Sequence, residues 1–345
     1  MHIDHQGQSD TNQQQRRQPT ETTALLPHGE TADEANKRRR DELKGYIFMG
    51  LSALGFATNS ACVKALAIAD FPSLEIVFAR SIVQLTLGLL GCAFCRVSPL
   101  GPSNKPGIHK WLFLRGAAGA FGNACFFYAV SVMTLADATV IFFTGPVFSA
   151  IFANILLGEP YDAFDKAASA LCMLGIVLVL KPTAFFMHML DVQEPGTSMN
   201  QMRGATAALV GAVSGALAYC VVRKVGRAVH SMVHVVYFGF LSMVGSSIMM
   251  FATQEPRMPR TTYEWTVMGM VGVFAYIGQA FLNRGLQLAP AGPGTLMRNL
   301  DVVFAFIFGI TLFNEVPDWI SVAGATVIIG CTLAMGAHKW LSHRR

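Results

Sequence analysis

The chain is 345 residues long, 52% hydrophobic and 14% charged, with a formal net charge of +5. A soluble domain carries about a quarter charged residues. Here the charges crowd into a tail and loops, which excludes an ordinary water-soluble fold. The small positive balance has no nucleic-acid signature, and no nucleic acid is expected as a partner.

Residues 1–43 are rich in Gln, Thr, Arg and Glu and nearly lack aromatic residues. Such a segment buries too little surface to fold alone and is predicted to be a disordered cytosolic tail. No signal peptide is recognisable, so the first apolar span is expected to act as an uncleaved anchor. Within the tail, Glu21-Thr22-Thr23-Ala24-Leu25-Leu26-Pro27 resembles an acidic dileucine sorting signal. In such a signal Glu21, Leu25 and Leu26 meet a clathrin adaptor and send the protein to endosomes, lysosomes or vacuoles. The pattern is short and also arises by chance. The Lys37–Arg40 run reads as a topology anchor.

Ten apolar stretches follow, at 45–67, 73–95, 111–131, 137–157, 164–181, 204–223, 232–252, 265–286, 292–313 and 318–337. Each is close to the ~20 residues that cross ~30 Å of hydrocarbon as a helix. The alternation of a barrel strand is missing, so an all-α polytopic protein in a lipid bilayer is expected. With the N-terminus in the cytosol, Lys and Arg favour the inner side by about four to one. Only Lys181, Arg203, Arg257 and Arg260 fall outside, and both termini are expected to be cytosolic.

The last three spans of each set of five read alike. Trp111 and Trp265 begin a helix; Leu135-Ala136 and Leu288-Ala289 open the next; Val147-Phe148 and Val303-Phe304 lie in mid-helix. A Glu-containing corner and a small-residue helix close each block. Duplicated five-helix units must sit inverted in the membrane, as in secondary transporters, whose site lies between the repeats near the midplane. The expected organisation is a first repeat at 44–181, an outer linker at 182–203, a second repeat at 204–337 and a cytosolic C-terminal tail at 338–345.

Ionisable groups inside spans cost about 2.5–3.5 kcal/mol each and are functional candidates by default. Lys64 and Glu75 fall near the outer mouth, where they are placed to pair as a gate, and Asp137 starts the fourth span close to water. Arg115 and Arg284 fall near the cytosolic face, within snorkelling reach. For these five, interface anchoring or a structural ion pair is an equally good reading. Arg80 lies about 10 Å deep at 1.5 Å per residue, with Gln84 one turn on along the same face. Arg298 and Asp301 share a face of the ninth span, with Asn299 beside them. This group suggests a polar cavity between the halves; a buried ion pair locking the repeats is the compatible alternative.

Asn123, Tyr128, Thr139 and Thr144 from the first repeat are further candidates to line it, as are Tyr219, His234, Tyr237, Tyr276, Gln279 and Asn283 from the second. Singly, each is more often a helix-to-helix hydrogen bond. Thr144-Gly145-Pro146 predicts a kink in the fourth span. Aligning the repeats places Gly145 opposite Asp301, a break opposite a charge. Glycines in the third span and Gly211-x-x-x-Gly215 in the sixth suit close helix packing. All seven cysteines fall within spans, so an outer disulfide framework is not expected. Cys92-x-x-Cys95 reads as packing rather than as a redox or metal pair. No Asn-x-Ser/Thr sequon occurs.

Together Leu135-Ala136-Asp137-Ala138-Thr139-Val140-Ile141, Gly158-Glu159-Pro160, Asp301-Val302-Val303-Phe304-Ala305-Phe306-Ile307-Phe308 and Asn314-Glu315-Val316-Pro317 resemble the drug/metabolite transporter superfamily. The closer likeness is to EamA-domain proteins of the solute carrier 35 type, G subfamily, over about 43–340. The resemblance implies ten transmembrane helices as two inverted five-helix repeats around a cavity, with spans five and ten peripheral and often at homodimer contacts. It also implies alternating access with a small-molecule substrate and no cofactor. It places Lys64, Glu75, Arg80, Gln84, Asp137, Arg284, Arg298 and Asp301 where similar proteins hold polar residues. The Gly-Ala-Leu-Asn-Lys stretch of nucleotide-sugar carriers is absent here, which counts against nucleotide sugars.

A cavity with net positive charge at mid-depth points to organic anions. The alternatives are proton-coupled export of neutral or cationic metabolites through Asp301, or a non-transporting membrane regulator. An enzyme is the least favoured reading: no nucleophile–base set, phosphate loop or metal-ligand set is apparent.

Overall fold

A computed structural model describes residues 32–102, 107–132, 138, 141–159, 161–180, 198–253, 255–314 and 319–342. The chain is all-α: α1 (Ala32–Ile68), α2 (Ser73–Phe94), α3 (Ile108–Val132), α4 (Gly145–Leu157), α5 (Ala163–Leu180), α6 (Ser198–Val225), α7 (Ser231–Thr253), α8 (Thr262–Leu288), α9 (Ala291–Met297), α10 (Leu300–Phe313) and α11 (Trp319–Ser342). Among the described residues, six stretches are long and apolar enough to cross a membrane, and Gly145–Leu157 and Val322–Cys331 are shorter apolar helices. The spans form two inverted five-helix repeats, with α4 the C-terminal part of the fourth span and α9 and α10 together the ninth.

Two expectations shift. Helix α1 begins at Ala32, so the last part of the tail is helical rather than disordered. Its sequence explains this: Ala, Glu, Lys and Arg are strong helix formers, and Asp33 and Glu34 complement the positive helix end. Arg38 and Glu42 also pair at 3.9 Å one turn apart. At the other boundary, α8 runs through Leu288, so the Leu288-Ala289 pair closes that helix instead of opening the next.

The repeated Glu-containing corners have a common cause. Gly158 ends α4 at φ 66° and Asn314 ends α10 at φ 53°. Glycine and asparagine are the residues that take this left-handed cap most readily. The start of α8 is fixed by a capping box: Thr261 Oγ1 accepts from the Glu264 N–H (3.2 Å), and Glu264 Oε2 accepts from the Thr261 N–H (3.1 Å).

The helix contacts obey a two-fold. Span one packs on span eight as span six packs on span three; spans two and seven, four and nine, and five and ten meet as self-related pairs. Glycine makes the first two of these crossings close. A Cβ on Gly55 would lie 3.0 Å from the Gly278 backbone, and one on Gly122 would lie 2.9 Å from the Gly211 carbonyl. A serine clamps each: Ser52 Oγ donates to the Gly278 carbonyl (2.7 Å) and Ser214 Oγ to the Ala118 carbonyl (2.9 Å). Helices α5 and α11 lie at the periphery and pack together through Cys172, Ile176, Ile328 and Cys331. Phe94, Phe251, Trp319 and Leu333 are exposed, as lipid-facing side chains of such a bundle should be.

Candidate substrate site

Both repeats interrupt a helix at matching places. In the fourth span the chain turns at Phe143 and Thr144. The Thr144 N–H donates to the Ile141 carbonyl (3.1 Å) and the Val147 N–H to Thr144 (2.9 Å). Pro146 has no N–H with which to continue the ladder to Phe142. In the ninth span the turn falls at Arg298 and Asn299. There the N–H groups of Arg298, Asn299, Asp301 and Val302 each reach back three residues, at 2.9–3.2 Å. No proline lies at this second break. Instead the Thr295 hydroxyl donates to the carbonyls of Ala291 (2.8 Å) and Gly292 (2.9 Å), competing with the helical ladder. The sequence reading had a break in one repeat opposite a charge in the other; the structure has a break in both, and the charges flank the second.

A small, half-open cleft lies between the two breaks. Its walls are Phe142, Phe143, Gly145 and Pro146 from the first break, Thr295, Arg298 and Asn299 from the second, and Ala212, Gly215, Ala216 and Tyr219 from α6. Interrupted spans facing each other across a cavity are the backbone arrangement by which transporters expose polar main chain to a ligand. No acidic residue occupies the first turn of α4, so its positive end faces the cleft uncompensated.

Arg298 is the best-held charge in this region. Its guanidinium lies 4.5 Å from the Phe56 ring centroid and 5.8 Å from that of Tyr219. It donates to the Tyr219 hydroxyl and pairs with Asp301 at 3.8 Å. Its Nε has no partner. Asn299 donates to Cys172 Sγ (3.2 Å), leaving its own buried Oδ1 unpartnered. Arg80, half-buried on α2, is close enough to Arg298 for the two positive charges to act on each other. Among the described residues no carboxylate pairs with Arg80.

The other candidates are more dispersed. Gln84 is buried on α2 with its Nε2 unpartnered. The Tyr276 hydroxyl donates to Met232 Sδ (3.3 Å), and Gln279 is buried on α8. Thr144 turns its hydroxyl onto the Ile141 carbonyl (2.6 Å). Asn123 is half-buried and Tyr128 exposed on α3, and neither lines the cleft. Glu75 accepts from the Arg257 N–H (2.7 Å), while the Lys64 ammonium lies 4.5 Å over the Phe313 ring. Arg284 is exposed and reaches Gln287. Asp137, and Glu21, Leu25 and Leu26 of the sorting motif, lie outside the described residues.

Arg115 is a correction. Placed by sequence within snorkelling reach, it is 1% exposed, because Phe238 of α7 and Asn283 of α8 enclose it. The apolar cleft walls were also missed: Phe142, Phe143 and Thr295 look like ordinary core in sequence, and Ala212 and Ala216 like packing residues. A second feature went unread as well. Glu159 accepts from Arg223 Nε (2.6 Å) and from the Ala291 N–H (2.8 Å), tying the first-repeat corner to α6 and to the start of α9. Among the described residues no cluster of His, Cys, Asp and Glu is placed to hold a metal ion.

The comparisons with known proteins agree with this geometry. The EamA-like transporter family matches residues 43–181 and 202–336. Solute carrier family 35 member G1 is 32% identical in Homo sapiens over 310 residues, covering 90% of this chain and 83% of that one. The Mus musculus protein of the same name is 30% identical, covering 89% and 82%. The pseudopaline exporter CntI of Pseudomonas aeruginosa is 27% identical over 295 residues, covering 86% of this chain and 96% of the exporter. A crystal structure that shares the fold superposes with a TM-score of 0.66 at 16% identity, covering 87% of this chain and 96% of its own. With both repeats matched and relatives aligned over nearly their full length, this chain belongs to the EamA-like transporter family, as a membrane transporter of the solute carrier 35 G type.

Proposed function

We propose that the protein carries small organic anions by alternating access, holding the substrate between the two broken spans. The observation that carries this reading is the charge at and beside the cleft. Arg298 lines it, Arg80 is near enough to act on Arg298, and the neighbouring carboxylate of Asp301 is already engaged by Arg298. A carboxylate arriving between the guanidinium groups replaces lost hydration with charge-assisted hydrogen bonds. The positive end of α4 adds to that attraction. A cation would meet a paired aspartate and two arginines.

Glu159 and Arg223 form the gate of this cycle on the cytosolic side, and Lys64, Glu75, Asp137 and Arg284 belong to the gating surfaces. The repeats at 44–181 and 204–337 are the moving units. The exposed faces of α5 and α11 provide a homodimer contact. Glu21, Leu25 and Leu26 direct the protein through a clathrin adaptor to an endosomal, lysosomal or vacuolar membrane, with the plasma membrane as the alternative address.

The test is uptake into proteoliposomes from a panel of organic acids, amino acids, nucleotide sugars and cationic drugs, alongside a thermal-shift screen. Ligand at a hundred times its Kd stabilises the folded state by about 2.7 kcal/mol. Organic acids should be taken up by the wild type and not by Arg80→Ala or Arg298→Ala, with protein abundance unchanged. Normal uptake by both variants removes the arginines from the site. Uptake of neutral or cationic compounds favours the second reading, proton-coupled export, which the likeness to an exporter supports. A folded protein that responds to nothing in the panel points to the non-transporting regulator.

A further inference from the structure

A second cluster of buried donors lies outside the cleft. Arg115 of α3, His234 of α7 and Asn283 of α8 are respectively 1%, 0% and 0% exposed, and none of them lines the cleft. Arg115 Nη2 donates to Asn283 Oδ1 (2.9 Å), and the guanidinium stands 5.0 Å from the Phe238 ring centroid. There its partners end. Arg115 Nε and Nη1, Asn283 Nδ2 and both ring nitrogens of His234 have no partner. His234 is near enough to Arg115 to feel its charge. Among the described residues no carboxylate pairs with Arg115 or His234. Glycines bring the helices to this point. A Cβ on Gly119 would lie 3.7 Å from Arg115 Nη1, and one on Gly116 would lie 3.0 Å from the Tyr237 carbonyl.

The chemistry of the group is weighted toward donors, with one imidazole nitrogen left to accept. Arginine only donates, the free amide nitrogen of Asn283 only donates, and a neutral imidazole donates at one of its two nitrogens. Buried donors in native proteins are almost always satisfied, and a buried guanidinium is retained where something negative completes it. A ring face offsets part of the charge but accepts no directed N–H bond at Nε and Nη1 together. The complement of these donors is a group with several lone pairs and a full negative charge.

We propose that Arg115, His234 and Asn283 form a carboxylate-binding station separate from the cleft. Its position gives it a role. The three residues lie seven, three and five residues from the same-side ends of their helices, roughly 5–10 Å below those ends at 1.5 Å per residue. Glu159, Arg223 and Gln287 lie at that same side. Tyr219, which takes the Arg298 hydrogen bond, is also within electrostatic reach of Arg115. The station therefore holds an anion between the gated mouth and the cleft. The ligand class rests on the organic-anion reading above; the existence of the site does not.

The experiment titrates purified full-length protein with succinate, with neutral succinamide as control, following binding by calorimetry and thermal shift. The variants are Arg298→Gln in the cleft, Arg115→Gln and His234→Leu in the station, and the double variants. Succinate binding should persist in Arg298→Gln and weaken at least tenfold when either station substitution is added, with succinamide silent throughout. His234→Leu is apolar and buries readily, so it keeps the test open if Arg115→Gln fails to fold. Loss of all binding in Arg298→Gln alone, or unchanged binding in the double variants, overturns the station and leaves water as its occupant. No succinate binding by the wild type overturns it too. The transport reading is decided separately, by uptake of the acid panel: binding at the station without uptake of any acid retains the station and removes the carrier.

Discussion

The Arg298–Asp301 pair separates the functional readings at the level of single atoms. Breaking a buried ion pair costs about 3–5 kcal/mol when the surviving charge is left uncompensated. Arg298 would not be stranded, because Tyr219 and Phe56 hold its guanidinium from α6 and α1. We therefore expect Asp301→Asn to fold with a loss of only about 1–3 kcal/mol, since a desolvated cation–π contact supplies about 2. With one negative charge gone, the cleft should bind organic acids at least threefold more tightly in a thermal-shift titration. Proton-coupled export needs the carboxylate itself, so abolished transport with weakened binding in Asp301→Asn would move the assignment to that mechanism. These charges were legible in sequence because ionisable residues stand out in apolar runs. The burial of Arg115 was not: its hydrogen-bond partner Asn283 is 168 residues away, so depth counted from the helix start placed it near water.

Among the elements, the fourth and ninth spans carry the two breaks, and they were legible unequally. Proline announced the first break. The second follows from a threonine hydroxyl taking helical carbonyls and from Arg298 and Asn299 finding partners on other helices, none of which a local pattern records. Glu159 joins these two spans. Its carboxylate satisfies the first N–H of α9 and pairs with Arg223, so the corner of one repeat caps a helix of the other. Beneath this bridge Cys220, one turn from Arg223, is 1% exposed and packs with Ala153 and Ala291. If the bridge is the closed gate, Glu159→Gln should speed alkylation of Cys220 about tenfold, equivalent to about 1.4 kcal/mol taken from the closed state. Site-resolved mass spectrometry reads this despite the other cysteines. Unchanged labelling in both Glu159→Gln and Arg223→Ala would make the bridge a static brace.

Across the whole molecule, the two-fold relation of the helix contacts explains why a repeated sequence pattern predicted the architecture. The main contacts between unlike spans have inverted counterparts, so one crossing solution, a glycine approach with a serine clamp, serves twice. The same inversion makes orientation consequential, since it decides whether the Glu159–Arg223 side or the opposite one meets the cytosol. The Lys and Arg bias of about four to one is the sequence's argument for placing that side in the cytosol. The chain has no natural sequon, which gives a clean background for testing this. Pro195→Asn completes an Asn-Gly-Thr acceptor with Gly196 and Thr197 in the linker, and Gln14→Thr completes one with Asn12 and Gln13 in the tail. In a glycosylating host the linker variant should gain an endoglycosidase-sensitive glycan and the tail variant none. The reverse pattern would invert the bundle. The Glu159–Arg223 bridge would then close the outer mouth, and the Arg115 station would meet incoming rather than cytosolic anions.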